Sequence, residues 1–119
     1  MIDLKRLVLS FHYAFEGIVH AFVADQNIRI HTIIAVVVIL AGIFFHVNSM
    51  EMIILVMMIS IVFVAEFANT AIEEMVDFIV KEHHPDAKII KDVAAGMVFA
   101  AATGAVIVGF YIFIPYIIS

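Results

Sequence analysis

The sequence has no cysteine and no tryptophan, and only two prolines among its 119 residues. Without cysteine there is no disulfide framework, no thiolate nucleophile and no thiolate metal site. Charge is scarce as well: Asp, Glu, Lys and Arg make up 14% of the chain, against 66% hydrophobic residues. Soluble domains carry about 25% charged residues, so this composition excludes one and fits a small integral membrane protein. A net charge of −5 argues against a nucleic-acid partner, which calls for a basic surface. There is no GxxxxGK stretch and no kinase Gly-rich loop, which excludes the standard nucleotide-binding signatures.

What is present is length in apolar runs. Residues 2–23 repeat Leu4, Leu7, Val8, Phe11, Phe15, Ile18, Val19 and Phe22 at helical spacing, with Asp3, Lys5, Arg6, His12, Glu16 and His20 at other angles. That pattern predicts an amphipathic helix lying along a membrane surface. Its charges argue against a signal peptide. Asp25-Gln26-Asn27 interrupts the pattern, and 28–47 reads as a first span. A second span, 52–80, is too long for the ~30 Å hydrocarbon layer, so its far end protrudes into headgroups or water. Lys81–Asp92 reads as a polar loop in which Pro85 limits helix continuation, and 93–118 is a third span without a charge. The whole chain, 1–119, is therefore expected to be one all-α integral membrane domain, a surface helix plus three transmembrane helices. All six Lys and Arg fall within Lys5–Arg29 and Lys81–Lys91. The positive-inside rule then puts the N-terminus and the 81–92 loop in the cytoplasm and the C-terminus outside the cytoplasmic membrane.

The second span holds the chemistry. Glu66, Asn69, Thr70, Glu73 and Asp77 occur at i, i+3, i+4, i+7 and i+11, within one helical stripe roughly 100° wide. Ionisable groups at membrane depth cost ~2.5–3.5 kcal/mol each on insertion scales and mark function by default. Polar glue between helices accounts for Asn69 and Thr70, but like charges on one face repel unless a cation or proton lies between them. The residues by themselves support a hard-cation or proton site facing the cytoplasm. Glu73 with Asp25 can supply the one or two carboxylates that Mg²⁺ usually takes from protein, and Lys91 and Arg29 can neutralise phosphate. In the third span Gly96, Ala100 and Gly104 recur at i+4, as do Ala101, Ala105 and Gly109. Small residues at this spacing allow close helix contact, within or between chains. Three helices offer little surface to screen five stripe residues, so an oligomer is expected.

The stretch Glu66–Asp77, EFANTAIEEMVD, resembles the signature E-x-x-N-[ST]-A-[IL]-E-x-x-x-D of the bacterial diacylglycerol kinase and undecaprenol kinase family. Phe15-x-Gly17, Asn27-Ile28-Arg29-Ile30-His31 and Lys91-Asp92 extend the resemblance in order over nearly the whole chain. It implies a homotrimer of three-span subunits with active sites shared between neighbours. The implied activity is transfer of the γ-phosphoryl of MgATP to a membrane lipid hydroxyl. Carried over by position, Glu66 matches the catalytic base, and Asn69 and Asp77 match polar members of its site. Glu73 and Asp25 match the two Mg²⁺ ligands, and Arg6, Tyr13, Glu82, His84, Lys91 and Asp92 match residues that contact ATP. Asp25 stands where the family usually has Glu, one methylene longer, and Ala68 replaces a bulky aliphatic residue. His84-Pro85 through Gly96 is similar to the Gram-positive branch, which favours undecaprenol, giving undecaprenyl phosphate, over diacylglycerol, giving phosphatidic acid. The remaining histidines read as interfacial or structural. A reading from another class is a small cation transporter or channel subunit using the acidic stripe. It would need polar groups on other spans, and the third span offers only Thr103 and Tyr111 before its end.

Overall fold

The computed structural model describes residues 1–119 and contains four helices: α1 (Leu4–Ala24), α2 (Gln26–Phe44), α3 (Ser49–Ile79) and α4 (Pro85–Ile118). Each is long and apolar enough to cross a membrane. At 1.5 Å per residue α2 is ~28 Å long, whereas α3 and α4 reach ~46 and ~51 Å. Both long helices therefore overshoot a ~30 Å hydrocarbon layer. Their overhangs share one side because only Val80–His84 joins them.

Asp25 alone separates α1 from α2 and serves both. Its N–H bonds the Ala21 carbonyl as the cap of α1, and its Oδ1 accepts from Asn27 N at 2.8 Å as the N-cap of α2. The last carbonyls of α1 lack intrahelical donors. Arg29 supplies them, its guanidinium donating to Phe22 O and Val23 O at 2.8 and 2.9 Å. Arg29 is thus occupied in joining the two helices, not held out as a phosphate ligand. Ala21 is the single buried residue of α1. The molecule measures 55 × 44 × 25 Å. Residues 4–20 and 22–24 of α1 are exposed, so this helix packs on the others only near its C-terminal end. Near its end His20 Nε2 meets Glu74 Oε1 of α3 at 2.6 Å.

The opposite end of α2 closes in a Schellman motif, with Val47 N bonded to Gly42 O and His46 N to Ile43 O at 3.1 and 3.2 Å. His46 occupies the left-handed position, φ 57°, where glycine is usual. Asn48 and Glu51 then form a capping box that starts α3 at Ser49, three residues before the expected start of the span. The Tyr116 hydroxyl of α4 donates to the same Glu51 carboxylate, fastening α3 to α4 at this end. The largest helix interface is α3 against α4, followed by α2 against α3.

The start of α4 corrects the expected loop. His84 Nδ1 accepts from Asp86 N at 3.1 Å as N-cap, and Pro85 occupies the first turn. There its missing N–H has no helical partner to lose. Helix therefore begins at Pro85, and only Val80–His84 remains non-helical. The buried side of α3 carries Leu55, Val62, Ala65, Glu66, Asn69, Thr70 and Val76. The apolar packing seam and the polar stripe are one continuous face. A single chain therefore already covers Glu66, Asn69 and Thr70, to 1%, 5% and 7% exposure, and no oligomer is needed to screen them.

Candidate active site

Glu66 is the most deeply buried charged side chain, and neither of its oxygens has an aligned hydrogen-bond partner. It is enclosed from two levels of α2, which runs antiparallel to α3. At the lower level Thr70 Oγ1 donates to Asp25 Oδ2 at 2.9 Å, which sets the Asp25 carboxyl beside Glu66. At the upper level His31 Nε2 lies 3.1 Å from Glu66 Oε1. The ring N–H is off the line to the oxygen, so this contact is close without being an aligned hydrogen bond. Asn69 Nδ2 reaches Glu73 Oε1 at 3.5 Å, while Asn69 Oδ1 is buried without a partner.

Three unpartnered acceptor oxygens beside two further carboxyl groups form a hard, oxygen-rich donor set. Two carboxyls facing each other are favourable only with a proton or a cation between them. No three Asp, Glu, His or Cys side chains converge as a metal cage, but Mg²⁺ commonly takes only one or two protein carboxylates and fills its octahedron with water and phosphate. Asp25 and Glu73 fit that role. Each Asp25 oxygen accepts one hydrogen bond and retains a lone pair.

Below this cluster a second pair links the overhangs of α3 and α4. Lys91 Nζ donates to Asp77 Oδ1 at 2.8 Å. That hydrogen bond, aided by Asp77's charge, holds the Lys91 ammonium above the usual lysine range, so it stays cationic through neutral pH. Lys88 and Asp92 form an exposed pair at 2.6 Å. His84 is engaged in capping α4, and Glu82 is exposed in the short link. Arg6 and Tyr13 are exposed on α1, ~28 and ~18 Å along the helix from Asp25. One chain therefore gathers Asp25, Glu66, Asn69 and Glu73, sets Asp77 and Lys91 at their edge, and leaves Arg6 and Tyr13 apart.

Sequence reasoning left out His31 and underused Thr70. A lone histidine in an apolar helix carries no signal of its own, although its placement one turn from Ile28, the most buried residue of α2 at 1% exposure, marks the inward face.

Beyond His31 an apolar cleft of about 560 Å³ runs between α2, α3 and α4 to Phe45 and Ile117, and 18 of its 20 lining residues are hydrophobic. It exists because α4 presents Ala102, Ala105 and Gly109 along this wall, residues too small to fill the gap. Its volume lies within the ~300–1,000 Å³ of ligand pockets. The arrangement is a carboxylate with free oxygens, a cation-compatible edge on the polar side, and an apolar trough on the other.

A family model described as prokaryotic diacylglycerol kinase matches residues 12–113. A diacylglycerol kinase of Synechocystis sp. is 41% identical over 115 residues, covering 96% of this chain and 66% of that protein. An undecaprenol kinase of Bacillus subtilis is 37% identical over 113 residues, covering 95% of this chain and 92% of that protein. A diacylglycerol kinase of Pseudomonas aeruginosa is 29% identical over 100 residues, covering 84% and 81%. The chain thus spans just under two thirds of the Synechocystis relative's length and nearly all of the Bacillus relative's.

Proposed function

The chain belongs to the prokaryotic diacylglycerol kinase family, and we propose that it is a membrane lipid kinase that transfers the γ-phosphoryl of MgATP to the hydroxyl of undecaprenol. The observation that carries this reading is Glu66, a buried carboxylate with unpartnered oxygens, next to an apolar cleft and near a cluster that suits a hard cation. A lipid whose tail lies along the apolar side can bring its hydroxyl to Glu66, while ATP approaches from the water-facing overhangs of α3 and α4. Glu66 accepts the hydroxyl proton as the lipid oxygen bonds to the γ-phosphorus. The bond from that phosphorus to the β,γ-bridging oxygen breaks, and ADP leaves. General-base assistance of this kind contributes typically ~10²–10⁴-fold.

Asp25 and Glu73 would hold Mg²⁺, which when bound supplies neutralisation of triphosphate charge. Asn69 orients Glu73. Lys91, kept cationic and positioned by Asp77, stabilises charge on the transferring phosphoryl, where positioning and electrostatics supply most of the catalysis. Glu82, His84 and Asp92 border the ATP approach. Arg6 and Tyr13 cannot reach the carboxyl cluster of their own chain along a straight α1, which supports a homotrimer whose neighbouring subunits complete each site.

In this reading α1 lies along the membrane surface, since crossing would take Lys5, Arg6 and Glu16 into hydrocarbon, and α2, α3 and α4 span the cytoplasmic membrane. A reporter after Ser119 should lie outside and one near Pro85 inside, and finding both on one side would remove the three-span topology.

Undecaprenol is favoured by the near-full-length match to the Bacillus undecaprenol kinase. Diacylglycerol is the second reading, favoured by the higher identity to the Synechocystis diacylglycerol kinase. Purified protein with MgATP, offered each lipid separately, should phosphorylate undecaprenol faster. Transfer to diacylglycerol alone reverses the choice. Transfer to neither, with cation flux into liposomes, replaces the kinase by the transporter.

A further inference from the structure

Five of the six histidines, His12, His20, His46, His83 and His84, are exposed, and His31 is the exception. It stands on an inward face of α2 among apolar residues, with 22% of its side chain exposed. A polar ring there is costly without a partner, and Glu66 Oε1, at 3.1 Å, is the group it meets. The other donors around the carboxyl cluster are directed at other carboxyls. Thr70 Oγ1 donates to Asp25, and Asn69 Nδ2 to Glu73. Asp25 itself faces Glu66 with acceptor oxygens already used by Asn27 and Thr70. Among these groups, His31 is the one whose nitrogen is brought to a Glu66 oxygen, at 3.1 Å.

The placement follows from packing. Asp25 and His31 are six residues apart on α2, ~9 Å of rise, and Thr70 and Glu66 are four apart on α3, ~6 Å. With Asp25 tied to Thr70, the antiparallel register brings His31 level with Glu66. His31 also lines the apolar cleft, so the imidazole stands where the cleft meets the carboxylate.

We propose that His31 is a positioning residue for Glu66: its imidazole, with Nε2 3.1 Å from Oε1, confines the carboxylate by a side-on contact so that Oε2 is free to take the proton of an acceptor hydroxyl arriving from the cleft. A carboxylate accepts only, so the ring carries its hydrogen on Nε2. One side-on contact steadies the group while leaving it basic, whereas several aligned donors would hold its charge too firmly. The inference rests on the reading of Glu66 as the base.

The test compares His31→Gln, which keeps an N–H near the Nε2 position, with His31→Met, which has similar length and no donor. Small misplacement of a reacting group can cost up to ~10²-fold, so His31→Met should lower kcat roughly 10- to 100-fold with KM for ATP unchanged. His31→Gln should recover most of that loss. In a Glu66→Gln background, His31→Met should add no further loss, since two residues acting as one unit are not additive. Equal kcat for the Gln and Met variants overturns the positioning role, as does a rise in KM for ATP without a fall in kcat. If His31→Met does not assemble, His31→Asn replaces it, because its amide is one methylene short of Oε1. Asn matching Gln then overturns the proposal. Glu66→Gln alone separates the layers. If it keeps full activity, the base reading fails; if it is inactive while His31→Met is fully active, only the positioning role fails.

Discussion

Replacing Glu66 by Gln should make the protein less active and more stable at once. The substitution preserves shape and exchanges one carboxylate oxygen for an NH₂ group. Loss of the base should lower kcat by about 10²–10⁴-fold, with kcat/KM for the lipid falling in parallel and ATP binding nearly intact. The stability change follows from the surroundings. Neither oxygen of Glu66 has an aligned donor, and the Asp25 carboxyl stands beside it. The variant's amide can donate to Asp25, turning a contact between two acceptors into a charge-assisted hydrogen bond. Such bonds are worth about 1.5–3 kcal/mol in general. Asp25 already accepts from Asn27 and Thr70, so a net gain of about 1 kcal/mol is the reasonable share. For a chain of this size that corresponds to a rise in Tm of about 3–6 °C, a trade between stability and activity common where a site is built under strain. Phosphate transfer from labelled ATP to lipid in mixed micelles reads the first effect, and thermal unfolding in the same detergent the second. Near-normal transfer would refute the base assignment. An inactive variant that melts below the parent would refute the account of Glu66 as an unpartnered carboxylate facing Asp25.

Four further substitutions test other parts of the molecule. Asp25→Asn keeps the cap on Asn27 N through its oxygen and puts an amide that can donate to Thr70 Oγ1 or Glu66 where Oδ2 stood, so Tm should hold or rise while the Mg²⁺ concentration for half-maximal activity rises. Outer-sphere partners are already worth about 10–100-fold in metal affinity, so a direct ligand should cost at least that. Glu73→Gln should do the same, and an unchanged Mg²⁺ dependence in either variant removes that residue from the metal site. A Cβ added at Gly96 meets no atom within 4 Å in its own chain, so for Gly96→Leu a reduced cross-linked oligomer with intact helical content would place Gly96 between subunits, and an unchanged oligomer would give it to lipid. His46→Gly relieves a left-handed residue at the end of α2, which costs about 1–2 kcal/mol for a side chain with Cβ. After the entropy lost to a freer unfolded chain, a gain of about 0.5–1 kcal/mol should appear in unfolding, with activity unchanged; a loss would mean that the imidazole makes a contact of its own.

What the sequence by itself determined are the properties that depend on near neighbours along the chain. Composition and run length establish the helices and their affinity for a membrane, because every buried backbone group must be satisfied within its own segment there. The 100° step of a helix puts Glu66, Asn69, Thr70, Glu73 and Asp77 on one face before any partner is known, and in the structure that face is buried down to Thr70 and opens at Asp77. Local chemistry holds further signals: Asn48-x-x-Glu51 is a capping box, and Pro85 opens a helix rather than limiting one. Only the tertiary structure decided which groups meet across helices. That Asp25 closes two helices while holding Thr70, that Arg29 is spent on the carbonyls of α1, that one chain suffices to bury Glu66, and that His31 comes to 3.1 Å from it all depend on the register of α2 against α3. That register is set by the Schellman turn at His46, the close seat of Gly42 against Met52, and the interlocking of side chains. These are long-range packing terms, and a one-residue change in them would leave every helix intact while rotating His31 by ~100° away from Glu66.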